Sequence, residues 1–190
     1  MRITGGERRG RRLASFRGSR IRPTSDKVRE AIFNLLGQDM TGLRVLDLFA
    51  GTGALGIESL SRGAETAVFV DHSPEALQLI RRNLSLCGYE GRSTLLRKDL
   101  SRGAPFGQDP LEARFDLVFA DPPYRKGLLL PVLHGLSSGG ILSPSGVFVA
   151  EASREETLPE RAGSLSLAKA RVYGDTKVLI YGPETETEHD

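Results

Sequence analysis

The chain has 190 residues, a net charge of +2 and a single cysteine, Cys87. This length points to one domain with at most a small added element, and one cysteine excludes an intrachain disulfide. No stretch approaches the ~20 apolar residues that span a bilayer, and the first residues lack the apolar core of a secretory leader, so the expected setting is soluble and cytoplasmic.

Charge is distributed unevenly. Residues 1–29 carry ten Lys/Arg against Glu7 and Asp26, a balance of +8 that leaves −6 on the remainder. A basic arm on an acidic body suggests a polyanionic partner met at one end. The opening stretch, MRITGGERRGRRLASFRGSRIRPT, shows no helical period and suits a short hairpin or an arm draped over the domain. From Ser25, a plausible N-cap, Val28, Ala31, Ile32, Leu35 and Leu36 follow helical spacing until Gly37 stops it.

After Gly42 the rhythm becomes strand, helix, strand. RVLDLFA (44–50) reads as a buried strand, TGALGIESLSRG as a turn and helix, and ETAVFVD (65–71) as a second strand. SPEALQLIRRNLSLCG predicts a helix capped by Ser73, with Pro74 in its first turn and Leu77, Ile80, Leu84 and Cys87 on one face. STLLRKD (93–99) is a third strand, a Gly/Pro-rich loop covers 103–110, and FDLVFA (115–120) is a fourth strand. A helix near 126–138 and a fifth strand, GVFVAEA (146–152), come next. LSLAKARVYG and TKVLIYG close the chain as two strands, expected to pair as a hairpin. PETETEHD (183–190) is acidic, lacks apolar residues and is expected to be disordered. Strands alternating with helices imply a parallel sheet covered on both faces, with an antiparallel element at one edge.

Each proposed strand ends in an acid: Asp47, Asp71, Asp99 and Asp121. In an open α/β sheet these ends line the ligand crevice, where a carboxylate is solvated or paired. Gly51, Gly53 and Gly56 form GxGxxG between a strand and a helix, and Asp71 lies at the distance from which an acid accepts hydrogen bonds from ribose hydroxyls. That much fits a nicotinamide dinucleotide as well as S-adenosylmethionine. Asp47 and Asp99 favour the methyl donor. The first can anchor the glycine loop and a ligand ammonium, the second can accept from the adenine amine, and a ring of acids repels pyrophosphate but suits a cation. Phe49, Ala50, His72, Ser73 and Leu100 complete the expected cofactor contacts.

Asp121-Pro122-Pro123-Tyr124 ends the fourth strand in a rigid knuckle, because proline cannot donate to a strand ladder. The chemistry it suits is methyl transfer to an exocyclic base amine. The Asp121 carboxylate and the Pro122 carbonyl can accept from the two N–H groups and orient the nitrogen lone pair, while Tyr124 stacks on an extruded base. With no clustered Cys/His ligands, no metal is expected. Glu151 reads as a structural carboxylate.

The chain resembles the bacterial family that methylates the guanine 2-amino group of small-subunit (16S) ribosomal RNA. RITGGERRGRRL, RPTSDKVREAIFNLL, LDLFAGTGALGIESLSRGA, DPPY and YGDTKVLIY carry the resemblance, the first two most specifically. It implies a Rossmann-like class I methyltransferase, a mostly parallel seven-stranded sheet with an antiparallel edge strand. It also implies S-adenosylmethionine as donor, Asp121 through Tyr124 at the target amine, and Arg22-Pro23-Thr24 near the cofactor, with Thr24 in contact. The expected division is a basic arm at 1–24, the methyltransferase domain at 25–182 and an acidic tail at 183–190. Arg8, Arg9, Arg11, Arg12, Arg20 and Arg22 are the expected RNA contacts. Alternatives are a DNA adenine N6-methyltransferase, an NAD(P)-dependent oxidoreductase and a noncatalytic RNA-binding assembly factor.

Overall fold

The computed structural model describes residues 1–16, 26–102, 114–138 and 140–184. Ser25, Arg20, Arg22, Thr24, the 103–110 loop and the tail from 185 lie outside these residues. The helices are α1 (Asp26–Leu36), α2 (Ala54–Ser61), α3 (Pro74–Cys87) and α4 (Leu129–Ser138). The strands are β1 (Arg44–Leu48), β2 (Thr66–Asp71), β3 (Ser93–Arg97), β4 (Phe115–Ala120), β5 (Leu142–Ser153), β6 (Arg161–Ala162), β7 (Leu165–Tyr173) and β8 (Thr176–Pro183).

They form one sheet in the order β3-β2-β1-β4-β5-β8-β7-β6. The first five run parallel, and β8, β7 and β6 are antiparallel additions. The sheet thus has eight strands among the described residues, not seven. The extra strand, β6, is two residues long and too short to leave a pattern in the sequence. β8 also runs one residue past the expected domain end, to Pro183.

Alternation along the strands splits the interior into two clusters. Val45, Ala67, Phe69, Leu117, Phe119 and Val149 face α1, α2 and α3; Leu46, Leu48, Val70, Val118, Phe148 and Ala150 face α4. The period-2 rule for strands produces this directly, since adjacent residues must enter opposite cores. α3 begins as its sequence predicts. Ser73 Oγ accepts from the Ala76 N–H (3.3 Å), Pro74 opens the helix, and Gly88 ends it in the left-handed region at φ 74°. On α1 the expected Val28 and Ile32 are buried and Leu35 and Leu36 pack partly buried against the core, while Arg29 and Phe33 are buried as well. The periodicity missed Arg29 because an arginine on a helix reads as solvent-facing.

The described part of the arm is a hairpin docked on the domain. Ile3 N–H donates to Arg11 C=O (3.0 Å), Gly10 N–H to Ile3 C=O (2.9 Å), and Arg2 bridges Arg12. Ile3 and Leu13 enter the α1–α3 core. Polar anchors do the rest. Glu58, fully buried on α2, accepts from the Thr4 N–H (2.9 Å), the Thr4 hydroxyl (2.7 Å) and the Gly5 N–H (2.7 Å). The same carboxylate pairs with Arg29 (3.1 Å) and Arg62 (2.8 Å).

Candidate active site

Leu48 of β1 is in register with Val70 of β2 and Ala120 of β4, and Ala120 is in register with Ala150 of β5. The next residue along each chain is Phe49, Asp71, Asp121 and Glu151. Three acids and an aromatic therefore form one row, at the carboxyl ends of β1, β2 and β4 and just past the last β4-paired residue of β5, which itself runs on to Ser153 beside β8. Alternation turns Asp47, Asp71 and Glu151 toward the α1–α3 face, and Asp121 continues that phase from Phe119. The row sits where strand order reverses: β1 is followed in sequence by β2 on one side and has β4 on the other. Ligands of open α/β sheets bind at such a switch point.

Two non-glycine residues among those described adopt positive φ: Phe49 at 57° and Arg125 at 62°. Each costs on the order of 1–3 kcal/mol, and such strain concentrates at binding sites. One follows β1 and the other follows the DPPY knuckle, so both border this row.

The glycine loop is held from beneath. Gly51 N–H donates to Asp71 Oδ2 (2.9 Å), and Ser73 N–H donates to Asp71 Oδ1 (2.9 Å). Gly56 N–H donates to Asp47 Oδ2 (3.0 Å). Gly56 is required by close packing, since a Cβ there would stand 2.3 Å from the Phe69 ring. At Gly51, with φ 55°, a Cβ would meet only the Phe49 carbonyl, 3.8 Å away. Gly51 therefore presents bare backbone to open space, whereas Gly53 is packed against Ile80 and Ile57.

Asp47 is nearly inaccessible, and burial pushes its carboxyl up to about 8. The Gly56 hydrogen bond opposes that rise, and the negative charges of Asp121 and Asp71 add to it. A cation entering the row relieves this repulsion. A pyrophosphate is disfavoured, since the Gly51 and Gly56 amides already donate to carboxylates and further negative charge would meet the acid row. The donor set thus suits S-adenosylmethionine, with its sulfonium and ammonium, and disfavours a dinucleotide.

The other predicted residues are distributed as follows. Asp99 is exposed beyond β3 and accepts from the Ser101 N–H (2.9 Å), while Leu100 is buried beneath it. His72 is exposed, its Nδ1 3.4 Å from Asp71 Oδ1. Ala50 is buried, and Phe49 is partly so. Pro122 is buried, whereas Pro123 and Tyr124 project outward, Tyr124 with 40% exposure. Glu151 is buried within β5. Arg8, Arg9, Arg11 and Arg12 are exposed around the hairpin tip, far along the chain from the acid row.

Three residues near these elements escaped the sequence reading. Glu58 clasps the arm. Asn83, buried on α3, accepts from Ala14 N–H (2.8 Å) and donates to the carbonyls of Ala14 (3.1 Å) and Thr52 (3.0 Å), so it ties the arm's end to the glycine loop. Thr176, at the start of β8, shares a hydrogen bond with the Tyr124 hydroxyl (2.8 Å). A signal existed for Asn83, a polar residue within the apolar stripe Ile80, Leu84, Cys87.

Glycine loop, acid row and DPPY knuckle on this sheet define a class I methyltransferase fold. Residues 1–182 match the family described as Conserved hypothetical protein 95, and the chain belongs to that family. It is 41% identical over 181 residues to YlbH of Bacillus subtilis (strain 168), provisionally named an rRNA methyltransferase, covering 95% of this chain and 98% of that protein. It is 33% identical over 190 residues to ribosomal RNA small subunit methyltransferase D of Escherichia coli (strain K12), covering 100% and 93%. A solved structure of yhhF from Escherichia coli, titled provisionally a methyltransferase, superposes with a TM-score of 0.81 at 31% identity over 97% of this chain and 98% of that one.

Proposed function

We propose that the protein transfers a methyl group from S-adenosylmethionine to the exocyclic 2-amino group of a guanine in small-subunit ribosomal RNA. The observation that carries this reading is the acid row beside a glycine loop whose amides are already taken by Asp47 and Asp71. Such a cradle accepts a cationic ligand. The names of the relatives support ribosomal RNA as the substrate class.

When bound, S-adenosylmethionine supplies an electrophilic methyl group on sulfur. Asp71 accepts from the ribose hydroxyls with the lone pairs its two amide bonds leave over, and Asp99 accepts from the adenine amine. Asp47 stays beneath the loop, fixing its geometry through the Gly56 amide. Phe49, Ala50, Gly51, Gly53, His72, Ser73 and Leu100 line the remaining contacts. At the knuckle, the Asp121 carboxylate and the Pro122 carbonyl accept from the two N–H groups of the target amine, with Pro123 stiffening the turn. Tyr124 stacks on the base. This is catalysis by positioning and electrostatics.

The body repels a polyanion, so the exposed arginines of the arm take the RNA: Arg8, Arg9, Arg11 and Arg12, with Arg20 and Arg22 farther along the chain. The test is methylation of small subunits lacking the modification, using labelled donor, with the modified base mapped by mass spectrometry. Label in N2-methylguanine supports the proposal. Label in adenine of DNA, or binding of NADH in place of the methyl donor, overturns it.

A further inference from the structure

The YGDTKVLIY segment is one of those that carry the family resemblance, yet none of its residues has a part in the reading above. In the structure it forms the β7–β8 turn and the start of β8. Tyr173 pairs with Thr176 across Gly174 and Asp175, and Gly174 takes φ 61°. A glycine with positive φ at the first central position is the two-residue turn that matches strand twist. The tip is braced from the neighbouring strand. Thr176 is in register with Ser153, Arg154 N–H donates to the Asp175 carbonyl (2.9 Å), and Lys177 Nζ donates to the Glu156 carbonyl (2.7 Å).

From this braced tip the Thr176 hydroxyl meets the Tyr124 hydroxyl at 2.8 Å, across 52 residues of sequence. Tyr124 is a large ring with 40% exposure at the end of the knuckle, followed by Arg125 at φ 62°. An exposed aromatic on a turn samples several rotamers, and each ordered side chain costs entropy when a base captures it. A hydrogen bond to a rigid hairpin removes part of that cost in advance.

We propose that Thr176 is a positioning residue, holding the Tyr124 ring in the orientation that receives the target base. This rests on the reading of Tyr124 as the stacking surface. Thr176→Val removes the hydroxyl while keeping the shape, Thr176→Ser keeps the hydroxyl, and Tyr124→Phe removes the other partner. One net hydrogen bond corresponds to roughly a three- to tenfold change. The expected result is a rise of that size in the RNA concentration for half-maximal single-turnover methylation in Thr176→Val and Tyr124→Phe. Thr176→Ser matches wild type, the double variant is no worse than either single one, and calorimetric affinity for S-adenosylmethionine is unchanged throughout. Multiplying effects in the double variant, or a Thr176→Ser as impaired as Thr176→Val, would overturn the proposal.

A second readout is independent of activity. The chain contains four tyrosines, so a 3-fluorotyrosine sample gives four fluorine resonances, and Tyr124→Phe assigns one of them. Thr176→Val should shift or narrow that resonance and leave those of Tyr89 and Tyr181 in place; Tyr173, its cross-strand neighbour, can move with it. Should it stay unmoved, Thr176 does not hold the ring, whatever the substrate proves to be. If it moves but no guanine is methylated, the positioning stands and the substrate reading fails.

Discussion

Replacing Glu58 with alanine should detach the arm and cost a large share of the fold's stability. The carboxylate is fully buried between two guanidinium groups, Arg29 at 3.1 Å and Arg62 at 2.8 Å. Arg62 also stacks on Phe33, 4.5 Å from the ring centroid. Removing one member of a buried ion pair typically costs about 3–5 kcal/mol, because the other charge stays in the interior. Here two cations lose the same partner at once. Arg29 keeps its ion pair with Asp26 in the same helix (3.0 Å) and, as long as the arm stays docked, its hydrogen bond to the Arg2 carbonyl, which softens the loss on that side. The Thr4 and Gly5 amides lose their acceptor too, so the arm gains by peeling into water. Against a total of about 5–15 kcal/mol for a domain, a loss of ~3–5 kcal/mol is severe. Urea unfolding measures it, and trypsin cleavage at the hairpin arginines reports arm release under native conditions. A folded Glu58→Ala variant that loses less than about 1 kcal/mol and keeps its arm protected would refute the reasoning. Replacing Glu58, Arg29 and Arg62 together with methionine should be far less harmful than Glu58→Ala, since no charge is left stranded.

Asp47 makes stability depend on pH. Its carboxyl is pushed up to about 8 in the folded chain from an ordinary 3.8, so between those values the folded state holds a proton that the unfolded state releases. Its contribution is fully present below about pH 4 and is lost as pH rises toward 8, by up to about 1.4 kcal/mol per pH unit. Asp47→Asn should therefore gain on wild type between pH 5 and 8 in denaturant titrations, and parallel curves would contradict this. Asp71→Ala should weaken S-adenosylmethionine by about 1–3 kcal/mol, through lost ribose contacts and a loosened Gly51, and calorimetry showing full affinity in a folded variant would remove it from the site. Replacing Arg8, Arg9, Arg11 and Arg12 with alanine should weaken RNA binding across sequences and flatten its salt dependence by roughly 0.7–0.9 per lost phosphate contact. An unchanged slope would move docking elsewhere.

The alternating strand and helix order was readable in the residues because strand burial, caps and turn glycines are local signals. Ser73-Pro74 and Gly88 bounded α3 within its own sequence, and Asp71 stood at the right distance from Gly51. What stayed hidden depended on partners distant in sequence. Glu58 looks like a solvent-facing residue of a short helix, and its burial follows only from an arm 53 and 54 residues earlier folding over α2. Arg29 is misread for the same reason. Thr176 is one hydroxyl in a strand, and its meeting with Tyr124 arises from the antiparallel return of β8 beside β5. Phe49 was legible as a neighbour of the glycine loop, but its left-handed backbone was not, since nothing in a phenylalanine announces positive φ.

Asp121 bears the proposed chemistry most directly. In the structure it follows β4 in the row with Asp71 and Glu151, close enough to add to the repulsion on Asp47. If it orients the target amine, Asp121→Ala must separate binding from chemistry. The measurement is single-turnover methyl transfer to unmodified small-subunit RNA, alongside calorimetric titration of S-adenosylmethionine on the same preparation. The expected result is a rate at least ~100-fold lower, the typical loss for one positioned group in the transition state, with cofactor affinity within a few-fold of wild type. An Asp121→Ala protein that transfers methyl at the wild-type rate would contradict the account and leave the DPPY knuckle as a turn.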